Sequence, residues 1–127
     1  MTEVASIVVF SEQPEETVSF YRALGVPLAD EDHGDGLHHA AAELGGVHLA
    51  VFASSLGGTP PSWRAGGSTF VGFWVSSLET AVAALLPLGA EVLVAHECRE
   101  WGCRVVLCDP DGRAVEINQR GHCADPA

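Results

Sequence analysis

Two spacings of apolar residues alternate along this 127-residue chain, a period of two and a period near that of the α-helix, and they alternate in the same order twice. Ser6-Ile7-Val8-Val9-Phe10-Ser11 predicts a short strand. Val18, Tyr21 and Leu24, with Phe20 beside them, then fall at i, i+3 and i+4 spacings and predict a helix with one packing face. Pro14 suits the first helical position, and Gly25 suits a left-handed C-cap. Strand-like runs follow over 37–44 and 47–53. The second copy begins at Phe70-Val71-Gly72-Phe73-Trp74-Val75, and a constant offset lays Val18 on Val82, Leu24 on Leu88 and Gly25 on Gly89. Leu78, Ala81, Val82, Leu85 and Leu86 form the second helical stripe, Ser76 and Glu79 have capping-box spacing, and strands are predicted over 91–95, 103–108 and 114–119. Each half reads βαβββ, so the expected fold class is α+β with two tandem modules.

Strand alternation assigns faces. Val47, Leu49 and Val51 make a core face, which leaves His48, Ala50 and Phe52 on the other. Val71, Phe73 and Val75 do the same for Phe70, Gly72 and Trp74. Asp109-Pro110-Asp111-Gly112 is a tight-turn sequence in which Asp109 and Asp111 serve as turn formers. Beyond it, Val115 and Ile117 face one way while Ala114, Glu116 and Asn118 face the other. If the helices cover one side of each sheet, the uncovered sides are expected to enclose a pocket. Its first-half lining would be Val8, Phe10, His48, Ala50 and Phe52. Its second-half lining would be Phe70, Gly72, Trp74, Glu116 and Asn118, with Trp101 at the strand mouth and Trp63 from the connecting segment. Gly72, between two aromatic residues, offers a slot for a flat ring, and Glu116 and His48 offer polar points to orient a ligand or neutralise a cation. The plainer alternative is that the rings fill the interior and that His48 pairs with Glu116. Arg104 and Arg113 are expected at the surface or in turns, and Cys108 as a small buried thiol.

Composition narrows the function classes. Seventeen acidic residues against six basic ones give a formal charge of -11, which argues against nucleic acid and anionic membrane surfaces. Asp30, Glu31, Asp32 and Asp35 form either a cation-attracting cluster or a solvated loop. A hydrophobic content of 47% fills one ordinary core, so a single domain over 1–127 is expected, with modules at about 4–54 and about 69–120 and a Gly/Pro/Ser-rich linker over 54–68. The opening residues lack the pattern of a signal peptide and no apolar run is long enough to span a bilayer, so a cytoplasmic location is expected. Cys98, Cys103, Cys108 and Cys123 lack C-x-x-C spacing and are expected as reduced thiols and not as zinc ligands.

The duplicated module, the helix end Phe20-Tyr21-Arg22-Ala23-Leu24-Gly25, and the closing Trp101-Gly102-x-Arg104 with Asp109-Pro110-Asp111-Gly112-x-x-x-Glu116 together resemble the vicinal oxygen chelate superfamily, over residues 4–120. This is the glyoxalase, bleomycin-resistance protein and extradiol-dioxygenase group. The resemblance implies an incomplete eight-stranded barrel around a central cavity, and a homodimer. It also implies four inward positions that hold a divalent metal in the family's enzymes, which fall here on Ser6, His48, Phe70 and Glu116. Only His48 and Glu116 are ligand types. The reading that follows is a metal-independent binding protein, with no cofactor, that sequesters an aromatic or amphipathic small molecule, including cationic compounds of the antibiotic kind. The alternative is a metal-dependent lyase, isomerase or dioxygenase using His48, Glu116 and a third ligand from His38 or His39.

Overall fold

The computed structural model describes residues 3–31, 39–53 and 71–121. The chain divides into two units, Met1–Pro60 and Pro61–Ala127, and among the described residues each carries one α-helix on one four-stranded mixed sheet. The eight strands thus belong to two separate sheets. The linker over 54–68, with Trp63, lies outside the described residues, as do Asp32, Asp35, His38, Phe70 and Cys123.

In the first unit, β1 (Ser6–Ser11) leads into α1 (Pro14–Leu24), followed by β2 (Ala29–Glu31), β3 (His39–Leu44) and β4 (Val47–Ala53). The sheet order is β1-β4-β3-β2, with β1 parallel to β4 and the other pairs antiparallel. Pro14 occupies the first turn of α1, and Gly25 adopts φ 112° at its C-terminus. Gln13 supplies no side-chain cap, and Ser11 holds the entry instead. Its Oγ accepts from the Gln13 N–H at 3.0 Å and lies 2.9 Å from the Thr17 hydroxyl, both hydroxyl residues being buried. Phe20, Tyr21 and Leu24 are buried, as are Val9, Leu49 and Val51 on the strands, whereas Val18 and Val47 of the predicted faces are only half-buried and Thr17 is buried beside them. β2 was not anticipated. Ala29-Asp30-Glu31 is too short and too polar to show alternation, and it joins the sheet by its pairing with β3. Half of the predicted acidic loop is therefore strand, with Asp30 3.9 Å from Arg22.

The second unit repeats the plan with β5 (Val71–Trp74), α2 (Leu78–Leu85), β6 (Val92–Arg99), β7 (Gly102–Cys108) and β8 (Ala114–Arg120) in the order β5-β8-β7-β6. α2 starts one residue later than its sequence signal suggests. Ser77, not Ser76, is the N-cap, its Oγ accepting from the Thr80 N–H at 3.2 Å. The Leu78 N–H donates to Gln119 Oε1 at 2.7 Å and ties this helix start to β8. Leu78, Ala81 and Leu85 pack inward with Val105, Leu107, Val115 and Ile117, whereas Leu86 lies in a short 3-10 turn (Leu86–Leu88) and is exposed. The Asp109 turn is pinned as its sequence predicts. Asp109 Oδ1 accepts from the N–H groups of Asp111 and Arg113, and Asp109 Oδ2 accepts from Arg113 Nη1 at 2.8 Å.

One expectation about the cysteines is overturned. Cys103, fully buried on β7, is disulfide-bonded, while Cys98 and Cys108 carry thiols. Spacing along a sequence does not reveal which sulfurs the fold brings together. Among the described residues, no helix is long and apolar enough to cross a membrane.

Candidate functional site

On the first sheet, residues directly opposite one another form rows across the face that α1 leaves open. Ser6, His48 and Glu43 make one row, Val8, Ala50 and Ala41 the next, and Phe10, Phe52 and His39 the third. The face assignment for Val8, His48, Ala50 and Phe52 is therefore as expected. Their chemistry differs from the expectation. His48 Nδ1 pairs with Glu43 Oε1, its cross-strand neighbour. His39 is buried, lies 2.8 Å through Nε2 from Glu31 Oε2, and stacks on Phe52 with ring centroids 4.2 Å apart and planes 14° apart. Phe10 meets Phe52 in turn, at 6.3 Å between centroids. The aromatic residues of this row pack on one another. Val8 stays exposed and Ala50 is buried.

On the second sheet the corresponding face brings together Gly72, Trp74, Glu116 and Asn118, because β5 and β8 pair Gly72 with Glu116 and Trp74 with Asn118. The hairpin register then places Val106 opposite Glu116 and Arg104 opposite Asn118. Arg104 Nη1 donates to Glu116 Oε2 at 2.6 Å, and Asn118 Nδ2 donates to Glu116 Oε1 at 2.9 Å, so both oxygens of Glu116 are engaged. Arg104 Nε also donates to Glu97 Oε2 at 3.0 Å, and Arg99 Nη2 reaches the same oxygen at 2.9 Å. Hydrogen bonds from Arg104 and then Arg99 hold the Glu97 carboxyl below the usual carboxylate range, and Glu116 followed by Glu97 holds the Arg104 guanidinium above its ordinary value. Gly72 is not a slot for a ring: a Cβ there would lie 3.1 Å from Glu116 Oε1 and 3.4 Å from Asn118 Nδ2, so its bare backbone makes room for this polar pair.

Beside the network stands an aromatic pair that the sheet leaves uncovered. Trp74 is 52% exposed and Trp101, in the turn between β6 and β7, is 45% exposed; their ring centroids lie 5.6 Å apart at 90°. Arg120, at the end of β8, sits with its guanidinium carbon 3.9 Å from the Trp74 ring centroid. Arg104, expected at the surface or in a turn, is instead a central member of the face, and Glu97 and Arg120 were not anticipated. The turn at Asp109 carried the missing signal, because a hairpin closed there places Arg104 on the same face as Glu116.

The described residues do not fit the divalent metal implied by the resemblance. A dication at Glu116 would displace two hydrogen-bond donors and face a guanidinium already 2.6 Å from the carboxylate, at a Coulombic disadvantage. His48 is engaged by Glu43, Ser6 offers only a neutral hydroxyl, and among the described residues no group of three or more His, Cys, Asp or Glu side chains is placed to hold an ion.

The sequence matches the family model described as a glyoxalase-like domain over residues 6–118. No curated protein sequence matches it. Among solved structures, the chain is similar to a glyoxalase-related enzyme from Fulvimarina pelagi, with 20% identity, a TM-score of 0.72, and coverage of 100% of this chain and 96% of that one. It is similar also to a glyoxalase/bleomycin resistance protein/dioxygenase family enzyme from Burkholderia phytofirmans PsJN, with 14% identity, a TM-score of 0.69, and coverage of 94% and 100%. A third similar structure is TnmS3, an antibiotic binding protein from Streptomyces sp. CB03234, with 20% identity, a TM-score of 0.66, and coverage of 95% and 98%. At these identities the likeness is one of fold.

Proposed function

This chain belongs to the glyoxalase-like domain family, and from that premise we propose that it is a metal-independent binding protein that sequesters a planar aromatic or amphipathic small molecule. The observation that carries the proposal is the state of Glu116. A carboxylate with one oxygen bonded to Arg104 and the other to Asn118 is a fixed polar wall, not a vacant ligand. Next to it, Trp74 and Trp101 expose indole surface on which a flat molecule stacks, a contact that contributes on the order of 1 kcal/mol per ring pair beyond area burial. A neighbour of the same fold described as an antibiotic binding protein agrees with this use of the fold. The cationic ligand that the acidic composition favoured is left out of the proposal, because Arg104 already offsets the charge of Glu116. We place the function in a homodimer, as the resemblance implies.

Two titrations test it. Zinc, nickel and ferrous ions added to the apoprotein in a calorimeter should show no stoichiometric uptake, and a panel of planar arenes should quench tryptophan fluorescence. Replacing Trp74 with Ala should weaken arene binding about tenfold. One tightly bound ion per chain, lost together in His48→Ala and Glu116→Ala variants, would replace this reading with metal-dependent catalysis.

A further inference from the structure

The chain carries six basic residues, all of them arginine, against a formal charge of -11, yet Arg99, Arg104 and Arg120 gather at the face that holds Glu116. Two of the three are neutralised there. Arg104 lies between Glu116 and Glu97, and Arg99 rests on Glu97. Arg120 differs: among the described residues it forms no ion pair, and its contact is with the face of Trp74 at 3.9 Å. That attraction works through the ring quadrupole and uses none of the five guanidinium N–H donors. The two carboxylates on the described strands of this face are in the opposite condition, with Glu116 engaged at both oxygens and Glu97 Oε2 shared by two guanidinium groups. Among the described residues of this face, Arg120 is therefore the guanidinium that keeps its donors for an incoming molecule. It is also fixed beside the exposed indoles of Trp74 and Trp101.

Resting on the sequestration reading, we propose that the ligand is an anionic arene, a planar ring bearing a carboxylate or an ionised phenol, and that Arg120 is the residue that selects for it. The ring lies against the indole pair and the acidic group takes the Arg120 donors. The bidentate match of guanidinium and carboxylate gives direction as well as attraction, which a lysine ammonium does not reproduce.

The test compares three probes of one shape and different charge, naphthoate, naphthamide and naphthylmethylammonium, by tryptophan quenching at neutral pH. The protein is the full chain and its Arg120→Gln and Arg120→Lys variants, each checked for native circular dichroism. Naphthoate is expected to bind the parent chain on the order of tenfold more tightly than naphthamide. In Arg120→Gln the ratio of naphthoate to naphthamide affinity should fall to about one, and Arg120→Lys should restore part of the preference. Equal binding of the three probes, a preference that survives Arg120→Gln, or tightest binding of the ammonium probe overturns the assignment of an anionic ligand while leaving sequestration standing. Failure of every probe to bind overturns both.

Discussion

Glu116 is the residue on which the chemistry turns, and Arg104 decides its character. Both side chains are about three-quarters buried, at 23% and 24% exposure, so removing one partner strands the other in a partly dry site. Arg104→Met should therefore destabilise the protein by roughly 1–3 kcal/mol in urea unfolding, whereas Glu116→Gln, which keeps an acceptor for Arg104, should cost less. An unchanged midpoint for Arg104→Met would mean that the pair contributes nothing to the fold. Glu97 gives a second, pH-dependent expectation. Its folded carboxyl is held below the ordinary value of 4.5 by Arg104 and Arg99, so its favourable contribution is complete above that value and disappears as pH falls through the depressed one. Because the side chain is 34% exposed and its partner Arg99 is exposed, solvent screens the pair and the effect is small. Urea midpoints of the parent chain and Glu97→Gln should differ at neutral pH and converge on acidification below the ordinary value. A gap that widens in acid would reverse the sign of this argument.

At the scale of the element, the turn between β6 and β7 holds Trp101 in place through Gly102. This glycine has φ 152°, and a Cβ on it would lie 2.0 Å from the Gln119 carbonyl oxygen of β8. Backbone cannot yield as a flexible side chain can. Gly102→Ala should force β7 from β8 at its start and destabilise the second unit by roughly 1–3 kcal/mol or more, with loss of the Trp101 contribution to arene quenching. A native-like unfolding midpoint for this variant would refute the close approach. Elements of this kind show what a sequence can and cannot display. The Asp109 turn and the helix ends at Gly25 and Gly89 were legible because each depends on local backbone chemistry. The strand faces were legible because period two survives wherever one side is buried. β2 was not, since three residues hold no period and its existence depends on β3. The site was half legible. Glu116, Asn118 and Trp74 follow from alternation within a strand, but the partners of Glu116 and His48 are cross-strand neighbours, and only the hairpin registers reveal Arg104 and Glu43. The slot inferred at Gly72 was misread for the same reason, because it is filled by side chains from the adjoining strand.

At the scale of the whole molecule, net charge and local charge act on an anionic ligand in opposite directions, and ionic strength separates them. A unit anion about 20 Å from the centre of a charge of -11 meets roughly 2 kcal/mol of repulsion in unscreened water. At about 0.15 M salt the Debye length is about 8 Å, so that long-range barrier is largely removed. The contact with Arg120 is made at hydrogen-bond distance, well inside the screening length, and survives. Naphthoate association, followed by stopped-flow quenching, should therefore accelerate several-fold as ionic strength rises from about 0.01 M to about 0.15 M, while its dissociation changes less. The ammonium probe should show the reverse trend in association, drawn in at low salt by the same field. If naphthoate association slowed as salt was added, the approach would be governed by a positive surface larger than one guanidinium, and the balance of charges drawn here between Arg120 and the acidic remainder of the chain would be wrong.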